Sequence, residues 1–146
     1  MTTEAGPKLL FVDTNILVYA SWPAAPLHQQ AHQALAAHTA AGTLLVISRQ
    51  VLREFLATLY RPRTGLAITD LVAEVRQLEA CYVVIEDGPA ITAALLSLLE
   101  AGATQVHDTN IAATCIVAGI SHILTNNPAD FTRFSPQLIT LPLVPS

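Results

Sequence analysis

The chain is poor in the residues that mark secreted proteins and proteins that bind by overall charge. Two cysteines occur in 146 residues, Cys81 and Cys115, and they form no C-x-x-C motif. With no apolar leader in residues 1–8, this scarcity favours a reducing, cytoplasmic location. Charged residues make up 12% and the net charge is −4, which excludes coating of nucleic acid by charge alone. A nucleic-acid role would need local basic residues or metal ions.

Long hydrophobic runs are also missing. The longest apolar stretch, residues 90–99, is interrupted by Thr92 and Ser97 and is too short to span a bilayer. No linker, repeat or low-complexity tract divides the chain. Because 52% of the residues are apolar, we expect residues 1–146 to form one domain with a substantial core and no membrane association.

Short apolar runs typical of strands alternate with helical patterns along the chain. Strands are predicted at residues 9–12, 44–47, 82–85, 122–124 and 138–141. Helices are predicted at residues 15–20, 27–41, 49–60, 69–80, 89–101 and 108–118. This alternation predicts an α/β fold, with a central and mostly parallel sheet of four to five strands flanked by helices.

Carboxylates fall where such a sheet places its ligands. Asp13 ends an apolar run without alternation, the pattern of a strand buried on both faces. The carboxyl ends of such strands bind ligands in open α/β sheets, and a cation is the usual compensation for a buried charge. Asp108 opens a predicted helix on the same face as Ala112 and Cys115, although complementing the helix dipole is the simpler interpretation for a single Asp.

Two further polar positions are weaker signals when taken alone. Glu54 lies at the margin of an apolar helical stripe, and Ser48 is a candidate N-cap that starts this helix directly after a strand. A long side chain at position 54 could reach back to the strand end. Asn127 and Asp130 follow the fourth strand in a polar loop. Several carboxylates at one rim repel each other, so a divalent cation would resolve the arrangement.

The chain resembles the PIN-domain ribonucleases, and among them the VapC-type toxins of toxin–antitoxin pairs. The resemblance rests on FVDTNILVYA at residues 11–20, REF at 53–55, VHDTNIAA at 106–113 and LTNNPADF at 124–131. By this resemblance Asp13, Glu54 and Asp108 match the acids of the family, and Asp130 matches a further catalytic Asp. Asn127 is a departure, because many relatives carry a fourth acid there and Asn lowers the charge for a second metal.

The resemblance implies a metal-dependent endoribonuclease that leaves a 5′-phosphate and a 3′-hydroxyl. Oxygen ligands without Cys or His favour Mg²⁺, with Mn²⁺ as an alternative, and such ions support phosphodiester cleavage. We expect Asp13 and Asp108 to be the principal metal ligands. Thr14 and Asn15 could hold the Asp13 carboxylate or a metal-bound water. The resemblance also implies a small VapB-like antitoxin partner and a homodimer.

Four of the seven basic residues lie in or just after the helix that carries Glu54. They are Arg49, Arg53, Arg61 and Arg63. One interpretation is ordinary surface arginine, and the other is a basic strip that binds RNA phosphates beside the acids.

Two other functions fit parts of the pattern. A phosphohydrolase would use Asp13 as its nucleophile, but Asn15 stands where such a site would need a second acid. A non-catalytic PIN-like binding module would not need its acids for function, and Asn127 is the residue that favours it.

Overall fold

The computed structural model describes residues 8–143. Both ends of the predicted 1–146 domain, and residues 1–7 of the segment searched for a leader, lie outside the described residues. Within the described range, no helix has the length and apolar character that crossing a membrane requires.

Strands and helices alternate as predicted. The strands are β1 (Leu9–Val12), β2 (Leu44–Ser48), β3 (Val83–Ile85), β4 (His122–Thr125) and β5 (Ile139–Pro142). The helices are α1 (Thr14–Ser21), α2 (His28–Ala40), α3 (Arg49–Leu59), α4 (Ile68–Cys81), α5 (Pro89–Glu100) and α6 (Val106–Ala118). Only α6 differs in a way that matters for the site, because it begins two residues before Asp108. Asp108 therefore lies inside the first helical turn rather than opening it.

The sheet confirms the predicted fold class. Its strand order is β3-β2-β1-β4-β5, and every pair of neighbouring strands is parallel. From β1 the chain builds one side of the sheet with β2 and β3, and it then returns to add β4 and β5 on the other side. The winding direction thus changes between β1 and β4, which is where open α/β sheets form a ligand crevice at their carboxyl edge.

The core packs around the central strand β1. Phe11 and Val12 are fully buried, as are Phe55 of α3 and Ile123 of β4. Ser48 caps α3 as predicted, since its hydroxyl accepts a 3.3 Å hydrogen bond from the Val51 amide. This cap makes α3 begin directly at the end of β2, so its first turns rise from the same sheet edge as Asp13.

Candidate active site

Asp13 lies at the point where the sheet changes its winding direction. It follows β1 directly, and its amide donates a 3.0 Å hydrogen bond to the Leu124 carbonyl of β4. It is also the N-cap of α1, because its side chain accepts a 2.8 Å hydrogen bond from the Thr14 amide. One residue thus ends the central strand, begins the next helix and directs a carboxylate to the carboxyl edge.

Four further residues hold or perturb the Asp13 carboxylate. Its second oxygen, Oδ2, accepts hydrogen bonds from the Thr125 hydroxyl at 2.7 Å and the Asn15 amide group at 3.3 Å. Burial nevertheless dominates and raises the pKa of Asp13 from 3.8 to about 6, with smaller contributions from the charges of Asp108 and Glu54. The negative charge is therefore costly in the protein alone, and a cation beside it would relieve that cost.

The Glu54 side chain extends from α3 back towards the carboxyl edge of the sheet, as the sequence suggested for a long side chain at this position. Its Oε1 accepts a 3.0 Å hydrogen bond from the Thr14 hydroxyl, and its Oε2 accepts one of 3.2 Å from the Gln50 side chain. The His107 ring lies 3.7 Å from Oε2. The side chain is 31% exposed, so it remains accessible to solvent while its direction is fixed.

Asp108 and Asp130 come from α6 and from the loop after β4, and they interact through their charges. Asp108 is half-buried in the first turn of α6. Burial raises its pKa, and the charges of Asp130 and Glu54 raise it further. Asp130 is exposed at the end of the 3-10 turn Pro128–Asp130. It contributes negative potential at the rim rather than a side chain inside the pocket.

The loop after β4 is fastened to the start of α1. The Thr125 hydroxyl accepts a 3.0 Å hydrogen bond from the Asn127 amide while donating to Asp13. The Asn126 amide donates to the Asn15 side chain at 3.3 Å. These contacts bring the Asn127 side chain to the wall of the same pocket as the acids.

A pocket of about 570 Å³ collects these residues between α1, α3 and the first turn of α6. Asp13, Glu54 and Asp108 line it, together with Thr14, Asn15 and Asn127. The other lining residues are Val18, Tyr19, Trp22, Ala57, Thr58 and Arg63. The structure therefore brings three predicted acids from three distant chain segments to one cavity.

The donor set fits a hard divalent cation held by few protein ligands. Within residues 8–143, no three His, Cys, Asp or Glu side chains are grouped closely enough to hold one ion. Mg²⁺ commonly binds through one or two carboxylates and completes its shell with water and substrate phosphate. Asp13 and Asp108 match that mode of binding, and the charge of Asp108 adds to the cost of ionising Asp13.

The four predicted RNA-binding arginines have different surroundings. Arg49 pairs with both Glu79 and Glu86, and Arg53 pairs with Asp87 at 3.1 Å. The Arg61 side chain donates to a backbone carbonyl of α3. Arg63 alone among the four lines the pocket.

Sequence reasoning missed Gln50, which is buried beside the acids. Its amide group donates to Glu54 and, at 3.0 Å, to the His107 carbonyl, while its oxygen accepts a 2.8 Å hydrogen bond from Asn110. It thus connects α3 to the first turn of α6. The one available signal was its spacing of four residues from Glu54, which places both on one helix face. Thr125 was missed in the same way, although it ends a strand at the predicted edge.

Comparisons with known proteins agree with this architecture. A family model described as PIN domain matches residues 10–135, which is most of the chain and includes every acid named above. No curated protein matches the sequence.

Several solved structures share the fold at low sequence identity. A toxin–antitoxin complex from Klebsiella pneumoniae has a chain with 19% identity and a TM-score of 0.68, covering 94% of this chain and 99% of its own. VapC20 of Mycobacterium tuberculosis, a sarcin–ricin loop cleaving toxin, has 18% identity and a TM-score of 0.64, covering 78% and 86%. VapBC2 of Rickettsia felis, bound to a promoter DNA fragment, has 21% identity and a TM-score of 0.65, covering 92% and 98%.

Proposed function

The chain belongs to the PIN domain family, and we propose that it is a metal-dependent endoribonuclease acting as the toxin of a VapBC toxin–antitoxin pair. One observation carries the proposal. Asp13, Glu54 and Asp108 line one pocket at the carboxyl edge of the sheet. The proposal is further supported by the structural neighbours, which include a sarcin–ricin loop cleaving toxin. Within this proposal the single domain extends over residues 1–146.

The acids have distinct roles in the proposed site. Asp13 and Asp108 would hold Mg²⁺, or Mn²⁺ in its place. Such an ion lowers the pKa of a water nucleophile and stabilises charge on phosphate oxygens. Glu54, oriented by Thr14 and Gln50, orients the attacking water by accepting a hydrogen bond from it. Asp130 adds negative potential beside Asp108.

The remaining polar residues position this set. Asn15 and Thr125 fix the Asp13 carboxylate through its Oδ2 atom. Asn127 stands where a fourth acid was expected. Its side-chain oxygen can still ligate a metal, but it carries no charge to balance a second ion. We therefore propose one tightly bound ion per site.

The proposed partners follow from the neighbours. Solved neighbours include complexes of toxin with antitoxin, one of them bound to DNA, which supports a VapB-like antitoxin for this chain. We also propose a homodimer and a cytoplasmic location, where RNA and antitoxin are both available.

A non-catalytic binding module is the second candidate, favoured by Asn127 and by the absence of a three-ligand group among residues 8–143. A phosphohydrolase with Asp13 as nucleophile is disfavoured, because Asn15 stands where such a site needs a second acid and donates a hydrogen bond to Asp13 instead.

Induced expression in a bacterial host tests the proposal. The wild-type chain should arrest growth and create new RNA ends that carry 5′-phosphate, and Asp13→Asn should do neither at equal protein level. Asp70→Asn is the matched control, because it removes an exposed charge from α4, away from the pocket. Identical growth and RNA ends for wild type and Asp13→Asn would contradict it.

A further inference from the structure

The pocket extends beyond the acids along one face of α1. Asn15 and Tyr19 lie in α1, and Trp22 is the C-cap of this helix. Their spacings of four and three residues align them on one side of the helix. All three line the pocket. At a rise of about 1.5 Å per residue, Trp22 lies roughly 10 Å along the helix axis from Asn15. One end of the pocket thus carries the acids, and the other, which we call the aromatic end, carries Trp22.

The opposite wall, on α3, is lined partly by small side chains. Glu54, Ala57 and Thr58 lie on one face of α3 and line the same cavity. The side chains of Ala57 and Thr58 are small, so they narrow the pocket little on the α3 side. Arg63 closes the aromatic end, and its guanidinium carbon lies 5.7 Å from the centre of the Trp22 ring.

Arg63 is held at the pocket by its local turn. It lies in the 3-10 turn Pro62–Thr64, where the Thr64 hydroxyl donates to the Leu59 carbonyl at 2.7 Å and accepts from the Leu66 amide at 3.3 Å. Unlike Arg49 and Arg53, Arg63 forms no ion pair with a carboxylate in the part of the chain described. An exposed cation beside a half-buried indole offers contacts to an anion and to a flat ring.

We propose that Trp22 and Arg63 form a nucleotide subsite, in which a base of single-stranded RNA stacks on the Trp22 indole and Arg63 contacts the phosphate next to it. This inference rests on the proposed function. Aromatic rings with neighbouring arginines are the usual means of binding single strands without sequence preference. The base on Trp22 belongs to a nucleotide beside the one whose phosphate faces the acids.

A peptide segment fits the same surface less well. An apolar segment would leave Arg63 without an anion, and a basic segment would be repelled by it. RNA offers planar bases and phosphates in alternation, which matches an indole followed by a guanidinium.

Trp22 is the only tryptophan of the chain, so its fluorescence reports directly on the subsite. The binding test uses a ten-nucleotide, 5′-fluorescein-labelled RNA of mixed sequence and the same ribose-phosphate chain without bases. A chelator prevents cleavage. We expect unlabelled RNA to quench Trp22, and the abasic chain to bind without quenching.

Variants separate the two contacts. By fluorescence anisotropy, Trp22→Leu should weaken RNA binding about tenfold and leave binding of the abasic chain unchanged, and Trp22→Phe should recover most of the loss. Arg63→Ala should weaken both ligands equally and reduce the salt slope of RNA binding by roughly 0.7. Tyr60→Leu and Arg76→Ala, exposed positions outside the pocket, are the matched controls.

Several results would overturn the subsite. The first is that RNA does not quench the fluorescence of Trp22. The second is that Trp22→Leu weakens binding of RNA and of the abasic chain equally. The third is that Tyr60→Leu weakens RNA binding as much as Trp22→Leu does. Quenching by a peptide but not by RNA would reassign the surface to a protein partner and also overturns it. Binding is measured without metal and therefore does not depend on cleavage. If wild type cleaves RNA but Trp22→Leu binds RNA as tightly as wild type does, only the subsite is rejected. Binding as expected without any cleavage rejects the proposed function alone.

Discussion

The Thr125 hydroxyl donates a 2.7 Å hydrogen bond to the Asp13 carboxylate and accepts a 3.0 Å hydrogen bond from the Asn127 amide. One buried hydroxyl therefore joins the end of β4 to the end of β1 and fixes the loop that carries Asn127. The two strands are those between which the sheet changes its winding direction. This hydroxyl therefore contributes to the geometry of the site on two of its segments.

Removal of that hydroxyl should damage both stability and activity. Thr125→Val keeps the shape but leaves the Asn127 amide without its acceptor and Asp13 with one donor fewer. We expect the free energy of unfolding to fall by about 1–3 kcal/mol, and RNA cleavage to need more Mg²⁺. Urea unfolding and a Mg²⁺ titration of cleavage measure the two effects.

Thr114→Val is the control for that change. Thr114 is equally buried, but its hydroxyl donates only to the Asn110 carbonyl within the same helix. It should cost less stability and leave the Mg²⁺ dependence unaltered. Equal effects of the two substitutions would show that the Thr125 contact has no special role.

The raised pKa of Asp13 predicts how stability depends on pH without metal. Because the pKa is about 6 in the folded chain and 3.8 is the ordinary value, the folded state binds the proton more tightly. The free energy of unfolding should therefore fall as pH rises from about 4 to about 6. Asp13→Asn should remove this decline and should be more stable than wild type at pH 7 by about 1–2 kcal/mol. This gain is smaller than the free energy that corresponds to the full pKa shift, because the amide loses hydrogen bonds.

Denaturant unfolding at several pH values in chelator measures this difference, with Asp70→Asn as the control for a lost charge. Addition of Mg²⁺ at pH 7 should stabilise wild type and not Asp13→Asn. The prediction would be contradicted if, in chelator, the free energy of unfolding of wild type rose relative to that of Asp13→Asn with increasing pH.

The strands and Asp13 were predictable because their signals are local. Parallel strands buried on both faces are continuous apolar runs, and the residue after such a strand must lie at the carboxyl edge. The contacts of Gln50 and Arg49 were not predictable, because their partners lie far along the chain. Arg49 meets Glu79 and Glu86, and Gln50 meets Asn110, only once α3 has packed.

Gln50 should act as a positioning residue for Glu54. Gln50→Leu removes hydrogen bonds to Glu54, His107 and Asn110 at a buried position. We expect a loss of about 2–3 kcal/mol in stability and a lower maximal cleavage rate at saturating Mg²⁺. The Mg²⁺ concentration for half-maximal rate should change little, since Glu54 is not one of the proposed principal ligands.

Gln77→Leu on the exposed face of α4 is the control for that substitution. Rates are compared at a temperature where both variants are fully folded. A Gln50→Leu variant that cleaves at the wild-type rate would remove Gln50 from the positioning set.

The most direct test of the account is cleavage of purified RNA by the purified chain, wild type against Asp108→Asn, with Mg²⁺ or with chelator. Asp108 is half-buried and Asp13 is buried, so substitution of Asp108 should change stability less in either direction than substitution of Asp13. We predict fragments with 5′-phosphate ends when Mg²⁺ or Mn²⁺ is present and no fragments in chelator. Cleavage by Asp108→Asn should be slower than cleavage by wild type by roughly 100-fold, the upper end of the loss expected when residues behind metal ligands are changed. Equal cleavage by both chains, or cleavage that persists in chelator, would contradict the account.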